Sequence, residues 1–129
     1  MRELLRNAHF DVTVDDHANL VRRTRTEVRF ETLEEIVTAY DALVATLDML
    51  DRPRYAVLVD LRVSLSRNDP AYETTVEPYH VPLYRGFRAN AVLVQTAAGR
   101  LQLARFIDGS RLNARLFTDE AEALAFLRG

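Results

Sequence analysis

Two short stretches constrain this chain more than anything else in it: "YAVLVDL" at 55–61 and "NAVLVQT" at 90–96. Each is a run of aliphatic residues without polar alternation. A strand with one wet face alternates, so a continuous run is a strand covered on both faces, most often a parallel one. Between the two runs lies "NDPAYETTVEPYHVPLYRGF". Asp69 before Pro70 makes an N-cap and first-turn pair, and Tyr72, Val76, Tyr79 and Leu83 recur at helical spacing. Pro78 and Pro82 each remove an N–H and crowd the carbonyl four residues back. The spacing predicts a helix over about 70–77, then a kinked or irregular segment to Phe87.

The flanks complete an α/β pattern. "HFDVTVD" at 9–15 alternates Phe10, Val12 and Val14 against Asp11, Thr13 and Asp15, as a half-buried strand does. "DHAN" supplies turn formers, and "LVRRTRTEVRF" reads as the second strand of a hairpin. Its arginines fall on both parities, Arg23, Arg25 and Arg29 on one and Arg22 on the other, so they make no single stripe. Thr32 and Glu35 match a capping box, opening a helix over roughly 33–50 with Leu33, Ile36, Val37, Tyr40, Leu43, Val44, Leu47 and Leu50 on one broad face. Pro53 lies just beyond it. "RLQLARFID" fits a strand or a short helix, and periodicity does not choose between them. "LNARLF" reads as the last strand, and Thr118 as the cap of a terminal helix with Asp119, Glu120 and Glu122 near its first turn. The order β-β-α-β-α-β-(α or β)-β-α predicts one α/β domain over 1–129: a single mixed sheet of four to five strands, with an N-terminal hairpin and a parallel centre, flanked by three to four helices.

Composition narrows the chemistry. The 129 residues include no cysteine, which excludes disulfides, thiolate metal sites and a cysteine nucleophile. Every basic side chain other than histidine is Arg, so Schiff-base chemistry and a Walker-type lysine are excluded too. A net charge of −2 carries no nucleic-acid footprint. There is no apolar run of membrane-spanning length, and "MRELLRNAHF" has no secretory core, so a cytoplasmic location is expected.

With the central strand in "YAVLVDLR", the helix opening in "RNDPAYE", the strand-turn-helix of "ANAVLVQTAAGRLQLARF" and the final strand and helix of "RLFTDEAEALAFL", the chain resembles the STAS-like family of bacterial anti-sigma-factor antagonists and related lipid-binding CRAL-TRIO domains. The resemblance spans most of residues 9–128 and implies a helix over 100–108. It also implies a regulatory, protein-binding role without catalysis. The antagonists carry an Asp-Ser-Ser-Gly type of motif after the central strand, whose serine a kinase phosphorylates. Here that region reads "DLRVSLSRNDP", with Ser64 and Ser66 off the motif's spacing.

No catalytic set assembles from the residues. Asp60 ends the central strand, where open α/β sheets meet their ligands. The competing role, which we favour, is a carboxylate that bonds the next loop's amides or pairs with Arg62 or Arg67. Glu77 and His80 have a metal-ligand spacing but no second pair, and Pro78 interrupts their helix, so no metal or cofactor is expected. A Ser-His-Asp set of Ser64 or Ser66, His80 and Asp60 lacks any elbow to expose the serine. Charge is segregated: Glu31, Glu34, Glu35, Asp41, Asp48 and Asp51 fall in a segment without a basic residue, whereas Arg85 to Arg115 holds six arginines against Asp108. Such a pattern can steer association with a protein or a second copy of the chain. The expected interaction or ligand surface comprises Asp60, Arg62, Ser64, Ser66, Asp69, Tyr72, Tyr79, Arg85, Phe87 and Arg88. Alternatives are a carrier holding a small apolar, lipid-like molecule near Tyr72, Tyr79 and Phe87, or a phospho-switched antagonist.

Overall fold

Ala56–Asp60 is buried at every position, and Ala89–Leu93 is nearly so, Ala89 alone being half-buried. The computed structural model describes residues 1–63, 70–95, 104 and 113–129. In it the two apolar segments lie side by side and parallel, with Ala56 opposite Ala89, Leu58 opposite Ala91 and Asp60 opposite Leu93. Around this pair one sheet of six strands runs in chain order: β1 (Arg2–Arg6), β2 (Phe10–Asp15), β3 (Leu20–Arg25), β4 (Ala56–Asp60), β5 (Ala89–Leu93) and β6 (Ala114–Phe117). β1, β2 and β3 pair antiparallel; β3 to β6 are parallel.

Strand side chains alternate between faces, and each face has its own helical cover. On one face Val21 of β3, Val57 and Val59 of β4 and Val92 of β5 share a core with α1 (Leu33–Asp48), α2 (Pro70–Val76) and α3 (His80–Tyr84). On the other, Ala56, Leu58, Ala91 and Leu93 pack with Ala123 and Leu127 of α4 (Glu120–Arg128). α1 begins with the capping box: Thr32 Oγ1 accepts from the Glu35 N–H at 3.1 Å, and Glu35 Oε2 accepts from the Thr32 N–H at 3.0 Å. The β2–β3 turn forms as its residues suggest, Asp15 Oδ1 accepting the N–H groups of His17 and Ala18. Asn19 there adopts φ 54°, a left-handed conformation that asparagine tolerates.

Several elements differ from expectation. The sheet has six strands, not four to five, because Arg2–Arg6 adds an edge strand. Its sequence does not alternate, and its register with β2 shifts between Glu3 and Leu5. β3 stops at Arg25, well short of Phe30. The terminal helix is capped by Asp119, whose Oδ1 accepts from the Ala121 N–H at 2.8 Å, rather than by Thr118. The segment after α2 is more regular than its prolines suggest: a 3-10 turn at Glu77–Tyr79 carries Pro78 near its start, and α3 follows directly. The helix implied over 100–108 falls, but for the helical Ala104, outside the described residues. Among the described residues no helix is long and apolar enough to cross a membrane.

Leu43 in α1 is fully buried between helix and sheet, whereas Leu33 is exposed. Leu43→Ala should lower unfolding free energy by about 2–5 kcal/mol through lost burial and the cavity left behind. Leu33→Ala should change it by about 0.5 kcal/mol or less. Urea denaturation of both variants checks the contrast.

Candidate functional site

At the carboxyl end of β4, on the α4 face, Asp60 closes a four-membered charge network. Its carboxylate accepts from Arg62 Nε at 3.0 Å and Nη2 at 2.8 Å, a bidentate pair, and from the Arg62 backbone N–H at 3.1 Å. Arg22 of β3, one strand over and on the same face, donates through Nη2 to Asp60 at 3.2 Å. Both guanidiniums also reach Glu120 in the first turn of α4, Arg22 at 2.6 Å and Arg62 at 2.9 Å. Two strands, the loop after β4 and α4 are thus tied at one point. Asp60 is 6 % exposed. Burial on its own would push its carboxyl up, but the hydrogen bonds from Arg62 and the charges of Arg62 and Arg22 outweigh it and hold the carboxyl below its ordinary value. Glu120 is lowered as well, chiefly by its hydrogen bond from Arg22.

The remaining residues read from the sequence are dispersed. Ser64, Ser66, Asp69 and Arg67 lie outside the described residues. Tyr72 and Tyr79 lie against α1: the Tyr72 and Tyr40 hydroxyls are 3.5 Å apart, Tyr79 Oη donates to Asp41 at 2.7 Å, and the Tyr40 and Tyr79 rings are 5.3 Å apart. Phe87 is buried beneath the Arg52 guanidinium, whose carbon is 4.8 Å from the ring centroid. Arg85 and Arg88 are both exposed, but Arg88 Nη1 donates to the Leu127 carbonyl at 3.0 Å and so serves the end of α4. Glu77 is exposed and His80 half-buried, and among the described residues no three His, Asp or Glu side chains could hold a metal.

Three polar anchors escaped the sequence reading. Arg52 Nη1 donates to the carbonyls of Pro82 and Arg85, both at 2.8 Å, and its Nη2 to Asp48 at 2.8 Å, pinning the end of α3 to the end of α1. The fully buried Asn90 donates Nδ2 to the carbonyls of Tyr84 at 3.1 Å and Asn113 at 2.9 Å, joining α3 to the start of β6. The third is Arg23, buried on the α1 face of β3 with its guanidinium carbon 4.8 Å from the Tyr84 ring centroid. Arginines on both parities of β3 were the available signal for it, since one parity of a central strand must enter the core.

No protein-family model and no curated protein matches the sequence. Solved structures do match the fold. An uncharacterized protein with a SpoIIAA-like fold from Shewanella loihica superposes with a TM-score of 0.64 at 14 % identity, over 95 % of this chain and 98 % of that one. An anti-sigma factor antagonist from Mycobacterium paratuberculosis gives a TM-score of 0.56 at 16 % identity, over 97 % of this chain and 100 % of that one. Identities this low establish architecture alone, and the architecture agrees with the STAS-like resemblance in the sequence.

The charge network makes a pH prediction. Asp60 and Glu120 both have folded values below their ordinary ones, so the unfolded chain binds more protons in acid and stability rises with pH through that range. The contribution should be complete above about pH 5, where unfolded carboxyls are ionised, and lost as pH falls through the lower folded values. Asp60→Asn should cost about 1–3 kcal/mol at neutral pH. It should also flatten the fall in stability below about pH 4, as read by urea unfolding at a series of pH values.

Proposed function

From a chain with the SpoIIAA-like fold as premise, we propose a regulatory protein-interaction module without catalytic activity. The observation that carries the reading is a contrast between two surfaces. On the α4 face, the end of the central strand is filled by Asp60 and its arginines. That leaves the acid saturated where a phosphoryl group or metal would otherwise engage it. The helical layer on the other face instead leaves Leu33, Val37 and Val81 exposed, Val81 at 45 %. On α3, Val81 is followed four residues later by the exposed Arg85, so the two stand on one side of the helix end. Arginine is enriched at interfaces, and the exposed Val81 beside it offers apolar contact area to a partner.

Charge supplies direction to the contact. α1 presents Glu34, Asp41 and Asp48 to solvent, and Arg85, Arg88 and Arg115 are exposed elsewhere. A partner with an acidic rim around an apolar centre suits the Val81–Arg85 side, and a second copy of this chain could supply such a rim from α1. The antagonist of similar fold is consistent with a protein partner. The loop that holds the serine switch in antagonists reads differently here, so regulation by serine phosphorylation is not part of the proposal.

Arg85→Glu is the cleaner probe of this surface, because Arg88 also supports α4. Affinity capture from native lysate should retain at least one specific partner with the wild-type chain and lose it by tenfold or more with Arg85→Glu, the folded state being checked by circular dichroism. Sedimentation of the isolated protein reports in parallel whether that partner is a second copy. Partners unaffected by the reversal, with the chain monomeric throughout, would count against the Val81–Arg85 surface.

A further inference from the structure

β3 carries arginines on both of its faces, and the two faces treat them differently. On the α4 face, Arg22 meets Asp60 and Glu120. On the α1 face stand Arg23 and Arg25, about 7 Å apart along the strand, and neither forms an ion pair with any described carboxylate. Arg25 Nη1 donates to the Thr26 carbonyl at 2.6 Å and the His9 carbonyl at 3.3 Å, and its guanidinium carbon lies 4.4 Å from the Phe30 ring centroid. Arg23 is 5 % exposed, yet its Nε and Nη2 find no acceptor among the described residues. A buried guanidinium without an anion or full hydrogen bonding costs several kcal/mol, so such an arrangement calls for a partner.

The identity of the unsatisfied atoms says which partner. Nε and Nη2 form the side edge of the guanidinium, two parallel N–H groups spaced for the two oxygens of a carboxylate. Among the described residues that edge is used twice elsewhere: Arg62 Nε and Nη2 grip Asp60, and Arg2 Nε and Nη2 grip Asp16 at 2.9 and 3.1 Å. Arg23 presents the same edge without an acid among the described residues. Its position suits a ligand: it pairs with Val59 across β3–β4, one residue before Asp60, near the carboxyl end of the parallel strands. Tyr84 stacks on it. Its positive charge also reaches His80, whose imidazole is lowered to about 4, mainly by burial and further by Arg23.

We propose that Arg23 anchors a buried carboxylate site between β3 and the α1–α3 layer, taking the carboxylate of a small organic acid whose apolar body lies against the neighbouring aromatic rings. A singly charged carboxylate is favoured over phosphate because its two oxygens match the buried, unpaired Nε–Nη2 edge of Arg23, and each further negative charge adds to the cost of burial. The inference is independent of the protein-binding reading.

Thermal unfolding tests it, with benzoate and octanoate as carboxylate probes, benzamide as the neutral match and inorganic phosphate as the other oxyanion. At tenfold excess over Kd, a bound carboxylate should raise the wild-type Tm by about 5 °C. Benzamide should do nothing, and Arg23→Met should abolish the shift while being at least as stable as wild type without ligand. No shift with either carboxylate overturns the proposal, as does an equal shift in Arg23→Met or a shift with phosphate alone. Should Arg23→Met fail to fold, the wild-type chain decides by NMR: a buried arginine Nε–H resonance that titrates with a carboxylate and not with benzamide supports the site, and one that moves with neither or with both overturns it.

Discussion

The parallel contact between β4 and β5 is the constraint from which the other layers follow. Neither segment has a polar side to turn to water, since Val57, Leu58, Val59, Ala91, Val92 and Leu93 are all buried. Each fully buried aliphatic side chain contributes roughly 1.5–3 kcal/mol only while both faces of the sheet are covered. Helices on both sides are therefore required, and α1 to α3 cover one face while α4 covers the other. The antiparallel strands at the N-terminal edge extend the sheet with a more ordinary alternation, Phe10, Val12 and Val14 inward and Asp11, Thr13 and Asp15 less buried.

Arginine fastens these layers together. With lysine absent, the planar fork of the guanidinium does the work at each junction. Arg52 ties α3 to α1, Arg88 meets the end of α4, and Arg22 with Arg62 ties β3 and the loop after β4 to α4. In each case the acceptors are a carboxylate or the carbonyls of a helix end, which have no partner within their own helix. Arg23 departs from this rule, and the departure gives it functional interest.

The functional reading and the charge arrangement support one another. Asp60 sits where the sequence places a ligand-facing acid, but two arginines and a backbone amide occupy its oxygens. The structural role favoured from the sequence, pairing with Arg62, is the one the geometry adopts. Tyr72, Tyr79 and Phe87 likewise have packing roles, against α1 and under Arg52. The recognition surface we propose is the outer side of the helical layer, with the buried Arg23 beneath it.

Much of the architecture was legible from local pattern. The two unalternated runs declared a parallel centre, Thr32 and Glu35 declared the start of α1, and the spacing of Tyr72, Val76 and Leu83 declared a helix that Pro78 would interrupt. These signals are local because hydrogen-bond geometry and burial period act over a few residues. The edge strand β1 was not legible: "RELLR" has no period, and pairing with β2 alone makes it a strand. Nor was the site. Glu120 is 60 residues from Asp60 and 98 from Arg22, and sequence spacing cannot say that a helix after the last strand will return its first turn to the end of the fourth. The sequence by itself determined that β3 carries arginines on both faces. Only the tertiary structure decided that Arg22 would meet carboxylates while Arg23 would be buried without one among the described residues, because which groups share a face depends on where distant elements dock.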